Sequence, residues 1–122
     1  MREIKYRGKP IEDYGDIKWF VGSLILSYED ELAYSEADGQ GTVPVEWESV
    51  GQYTGLRNIH NKEIFEGDVL QDDENFKWIV KYKLGSFVAE CSELMAEQLL
   101  NTINLYCKII GNIYENPELI NS

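Results

Sequence analysis

The stretch Trp78-Ile79-Val80-Lys81-Tyr82-Lys83-Leu84, followed by Gly85-Ser86 and Phe87-Val88-Ala89-Glu90-Cys91, decides the fold class. Trp78, Val80, Tyr82 and Leu84 share one face. Lys77, Lys81 and Lys83 line the other, with Ile79 among them. A period of two with one polar side marks a half-exposed antiparallel strand. Gly85-Ser86 predicts a reversal, because glycine supplies the backbone angles a tight hairpin needs. Phe87, Ala89 and Cys91 then continue the apolar face. Upstream, Asp72-Asp73-Glu74-Asn75 predicts the turn that brings Asp68-Val69-Leu70-Gln71 beside this strand. Downstream, the β-branched run from Tyr106 to Ile113 is expected to close the same sheet, with Cys107, Ile109 and Ile113 pointing together.

Outward from this hairpin the pattern stays β-rich. Ile17 to Ile25 is apolar on both alternating faces, which predicts a strand buried on two sides. Glu29 to Gly41 is acidic and irregular, and Glu36-Ala37-Asp38-Gly39-Gln40-Gly41 reads as a mobile loop. Helix is expected in two places only. Ser92 is placed to cap Glu93 to Leu100, and Asn116-Pro117 to open one short turn. The class is therefore mainly β, a β-rich α+β chain forming a single domain over residues 1–122. An N-terminal antiparallel subdomain (1–55) is expected to pack on a small SH3-like barrel (62–115) with one short helical insertion, leaving a C-terminal turn or tail at 116–122.

Composition narrows function by exclusion. The 122 residues carry 11 basic and 22 acidic side chains, a net charge of −11, and the excess is spread over both halves. Such a chain repels a phosphate backbone, so nucleic acid and anionic membrane surfaces are disfavoured and a basic partner protein is compatible. Cys91 and Cys107 match no zinc or CxxC spacing and read as buried thiols of a cytoplasmic protein. Nothing after Met1 resembles an export signal.

Local motifs read as structure. Glu66-Gly67-Asp68-Val69 places two carboxylates near each other, but a glycine turn into a strand accounts for it. His60 is the single histidine and sits in a predicted turn without a neighbouring nucleophile. Glu36-Ala37-Asp38-Gly39 lacks the alternation of a calcium loop. Catalytic, metal and cofactor-binding residues are therefore expected to be none. Gln52, Tyr53 and Thr54 are the candidate interaction residues, with a tight turn anchored by a buried Tyr53 as the favoured structural account.

Three stretches together resemble the YopX family of phage and prophage proteins. They are Arg2 to Lys9 with Trp19 and Gly22-Ser23-Leu24-Ile25; Val50 to Leu56 with Lys62-Glu63-Ile64-Phe65-Glu66-Gly67-Asp68-Val69; and Ile109-Ile110-Gly111-Asn112-Ile113-Tyr114-Glu115-Asn116-Pro117-Glu118-Leu119. The family's usual Asn-Gly before Lys-Glu-Ile is here His60-Asn61, and Asn tolerates the left-handed conformation. The resemblance implies a mainly β fold and a phage or prophage source, and transfers no catalytic residue. The expected role is a non-enzymatic protein-interaction or assembly module, with homo-oligomerisation where the two-faced strand is covered. The alternatives are an acidic DNA mimic that inhibits a host enzyme, and a nucleic-acid-binding barrel using its aromatics with Lys77, Lys81 and Lys83.

Overall fold

In the computed structural model, which describes residues 4–15, 17–27, 32–37 and 41–120, antiparallel strands dominate. The chain divides into two compact units, Met1–Tyr53 and Thr54–Ser122.

The first unit contains β1 (Tyr6–Gly8), β2 (Phe20–Ser27), β3 (Leu32–Ala37), β4 (Gly41–Val45), a 3-10 turn (Trp47–Ser49) and the start of β5 (Gly51–Arg57). Their order is β4-β3-β2-β1-β5. Phe20, Ala33, Val43 and Val45 are buried. Gly8 is required where β1 meets β4, since a Cβ there would lie 2.7 Å from Val45 Cγ2. Hydrogen bonds complete that join: Glu46 N–H donates to the Lys9 carbonyl, and Lys9 N–H to Ser49 Oγ.

Two expectations for this region are corrected. Val21 and Ile25 on β2 are 42% and 43% exposed, so that strand buries one face rather than two. Leu32 to Ala37, expected to be irregular, is a central strand paired with β2 and β4. Its inward residues, Ala33 and Ser35, are too small to have stood out as an apolar face. Glu29, Asp30, Glu31, Asp38, Gly39 and Gln40, the rest of the expected acidic loop, lie outside the described residues.

The second unit holds the remainder of β5, which pairs with β6 (Glu63–Phe65). A separate five-stranded sheet follows. It is built from β7 (Asp68–Gln71), β8 (Lys77–Lys83), β9 (Ser86–Cys91), β10 (Ala96–Leu99) and β11 (Lys108–Asn112) in the order β10-β9-β8-β7-β11. Ile64, Leu70, Trp78, Val80, Ala89, Cys91, Leu100 and Cys107 form its core. The sheet is open, and β6 pairs with β5 instead of joining it. The SH3-like closure over 62–115 is therefore not confirmed.

The β8–β9 hairpin follows its two-faced pattern over its first half, with Trp78 and Val80 buried and Lys81 exposed, whereas Tyr82 and Leu84, expected on the same face as Trp78, are 51% and 105% exposed. Its turn sits one residue earlier than expected. Lys83 pairs with Ser86, and Leu84 and Gly85 both take positive φ (50° and 83°), the backbone of a two-residue type I′ turn. The expected helix from Glu93 to Leu100 is also corrected. Ser92–Met95 reverse the chain, and Ala96–Leu99 pair with β9 from Ala96↔Cys91 to Leu99↔Val88. Helix begins only at Leu100, with Leu100–Ile103 (α1) followed by a 3-10 turn at Asn104–Tyr106. Four good helix formers gain little from one turn of isolated helix, and pairing with β9 overrides their propensity. On β11 a bulge between Ile109 and Gly111 breaks the alternation. Cys107 and Ile109 face the core, while Ile113, expected to point with them, is largely exposed.

The C-terminal segment is latched to β11 through amide side chains. Asn112 Oδ1 accepts from Glu115 N–H at 2.8 Å, and Asn116 Oδ1 accepts from Asn112 N–H at 3.2 Å. Ile113 N–H donates to the Gly67 carbonyl, and Gly67 N–H to the Val80 carbonyl, each at 2.9 Å. Gly111 leaves room for this closure: a Cβ there would come within 2.5 Å of Asn116 Oδ1 and 2.9 Å of Leu119 Cδ1. Gly111→Ala is predicted to destabilise the chain by about 1–3 kcal/mol through this overpacking. The check is a lower urea midpoint at unchanged m-value.

Candidate functional site

The turn from Asn58 to Lys62 positions the single histidine. Asn58 Oδ1 accepts the N–H groups of His60 and Lys62, each at 2.9 Å, and Asn61 takes φ 60°, as its tolerance of the left-handed region implies. His60 is held at the rim of an open depression of about 310 Å³, with Ile59, Asp72, Asp73, Tyr106 and Lys108 around it. Asp72 is committed to structure. Its Oδ1 accepts from Glu74 and Phe76 N–H at 2.9 Å, and its Oδ2 from Trp78 Nε1 at 3.0 Å. Cys107 is fully buried in the core of the same unit. Burial first, then the charges of Asp72 and Asp73, push its thiol up to about 11. The sulfur is thus protonated and enclosed, the opposite of an activated nucleophile. The arrangement suits contact with a side chain from outside: apolar at Ile59 and Tyr106, acidic at Asp73.

A second feature lies on the outer face of the β8–β9–β10 hairpins. Lys81 Nζ meets Glu90 Oε1 at 2.7 Å, Lys83 reaches Glu90 Oε2, and Lys83 also bonds Glu97 Oε1 at 3.0 Å. Two of the three lysines that a nucleic-acid reading would need, Lys81 and Lys83, are therefore engaged by carboxylates of β9 and β10. Hydrogen bonds from Lys81 and Lys83, with their charges, hold Glu90 down at about 2 against an ordinary 4.5. The same carboxylates, Glu90 first and then Glu97, raise Lys83.

Residues 13–121 match the family model described as YopX protein. The chain belongs to the YopX family. A search of curated proteins found no match. The second and third of the stretches through which the sequence resembles the family make several of the bonds that hold the second unit of this YopX protein together. Gly67, with φ 93°, links to both Val80 and Ile113, and Asp68 Oδ2 accepts Phe65 N–H at 2.7 Å. Asn112 and Asn116 build the C-terminal latch.

The sequence candidates fall as follows. Gln52, Tyr53 and Thr54 lie within β5, not in a turn, and Tyr53 and Thr54 are buried. Lys5 Nζ stands 4.9 Å from the Tyr53 ring centroid. Thr54 Oγ1 donates to the Ile64 carbonyl at 2.8 Å and accepts Leu56 N–H at 3.2 Å, while Gly55 takes φ 84°. The polar group between glycines is thus a strand irregularity braced by its own hydroxyl. Among the described residues, no group of three or more His, Cys, Asp or Glu is arranged for a metal ion. Sequence reading missed the exposed apolar side chains at turns. The signal for Leu84 was its place just before Gly85, where a type I′ turn ordinarily carries Asn or Asp.

Because the Glu90 carboxyl is held low in the folded chain, its stabilising contribution is complete above pH 4.5 and is lost as pH falls toward about 2. Glu90→Gln is predicted to lower the urea midpoint at pH 7, and the difference from the parent should narrow steadily below pH 4.5. Unfolding curves at closely spaced pH values check this, and a constant difference would contradict it.

Proposed function

We propose that this YopX protein is a non-enzymatic interaction module that works by contact with other proteins. The observation that carries this reading is the placement of Leu84 and Met95. Both are large apolar side chains, 105% and 94% exposed, and both stand at turn positions with positive φ (50° and 51°). The left-handed conformation costs an L residue roughly 1–2 kcal/mol. Leaving a Leu or Met in water forgoes a further ~1.5–3 kcal/mol of burial. Asn or Gly would fit either turn at lower cost, so folding gives no reason for these residues and contact with a partner does. The side chains that carry chemistry elsewhere are turned to support: Asp68 and Asp72 accept backbone N–H groups, and Cys91 and Cys107 are buried. The family resemblance adds an accessory role for a phage or prophage.

A second reading, an acidic decoy for the DNA site of a host enzyme, draws support from the net charge of −11. One experiment separates the two. Leu84→Asn is expected to be more stable than the parent by about 0.5–1 kcal/mol, since Asn is at home in a type I′ turn. In parallel affinity purifications from host cells it should lose a protein that the parent retains. A basic protein lost to salt but not to the substitution favours the decoy. Identical, salt-resistant recovery with both chains would overturn the leading reading.

A further inference from the structure

We propose that the free edge of β10 receives an extended, lysine- or arginine-bearing segment of a partner protein as an added strand. This rests on the interaction reading above and names its surface and ligand chemistry. Among the described residues, β10 ends its sheet and pairs with β9 alone. In a strand with one neighbour, every second residue turns its N–H and C=O outward, ready for another chain. Proteins blunt such an edge with short length, charged side chains, proline or a bulge. Ala96-Glu97-Gln98-Leu99 is short and carries one charge, Glu97, but has no proline, lysine or bulge; its register with β9 is regular, and Glu97, Gln98 and Leu99 are exposed. The edge stops cleanly where Thr102 Oγ1 donates to the Leu99 carbonyl at 2.7 Å and α1 begins.

Over β8, β9 and β10, reaching the edge at Met95, Ala96 and Glu97, is an open depression of about 370 Å³ that Ile79, Lys81 and Glu90 also line. An incoming strand projects alternate side chains toward each face, so one set reaches this depression. Met95, in the turn before β10, offers it apolar contact. Charge selects the rest. Glu90 is satisfied by two lysines, whereas Glu97 shares Lys83 with it and its side chain is 48% exposed. Glu93 in the preceding turn is also exposed, and β10 with its turn carries no basic residue. A cationic side chain on the added strand meets Glu97, which lines the depression. A second copy would bring the same two carboxylates and a net charge of −11 to the contact, so a basic segment is the occupant.

The test titrates the 15N-labelled full chain with a synthetic peptide alternating lysine and valine. Its controls are the glutamate–valine counterpart and a lysine–valine peptide N-methylated at alternate residues, which cannot complete a ladder. The expected result is amide shifts centred on residues 96–99, with exchange of the outward N–H groups slowed about tenfold or more. Binding should fall at least about tenfold for both controls. Equal binding of the N-methylated peptide, shifts centred away from β10, or no shifts at millimolar peptide would each overturn the proposal. Shifts centred on Leu84 would remove the edge while leaving the interaction reading intact, since that reading stands on the Leu84→Asn comparison.

Discussion

A single glycine peptide organises the second unit. Gly67 donates to the Val80 carbonyl on β8 and accepts from Ile113 beyond β11. The next residue, Asp68, receives the Phe65 N–H from β6. Two segments distant in sequence are thereby fixed to one turn, and the φ of 93° at Gly67 is one that a side chain resists. The register of β7 against both neighbours follows from this junction. So does the C-terminal latch, whose first bond is made by Ile113.

The same economy runs through the other polar motifs. Asn58, Asp68, Asp72, Asn112 and Asn116 each hold a backbone N–H that a turn would otherwise leave unpaired. A short chain with many tight reversals has many such donors, and amide and carboxylate side chains are the local means of satisfying them. The Lys81–Glu90–Lys83–Glu97 lattice does comparable work across strands, tying β8, β9 and β10 together on their outer face.

How much of this was legible in the sequence depended on whether one face was visibly polar. The β8–β9 hairpin could be read because lysines alternate with Trp78, Val80 and Tyr82. β3 could not, because its inward residues are Ala33 and Ser35. β10 was hidden by helix-forming residues whose pairing with β9 is a long-range fact. The bulge at Ile109–Gly111 left no local trace, so Ile113 was assigned to the wrong face. Of the candidate site, the turn holding His60 was legible from His60-Asn61, but its meeting with Asp72, Asp73 and Tyr106 was not, since those residues come from two other segments. Tyr53 and Thr54 show the converse error. Aromatic and hydroxyl groups between glycines looked available, and the fold encloses them.

Cys91 and Cys107 sit in the same apolar cluster, and burial pushes the Cys107 thiol up to about 11. A thiol so placed reacts with an alkylating reagent only after the surrounding strands separate. The rate at which this protein takes up such a reagent is therefore a clock for opening of the second unit, built into the chain without any added label.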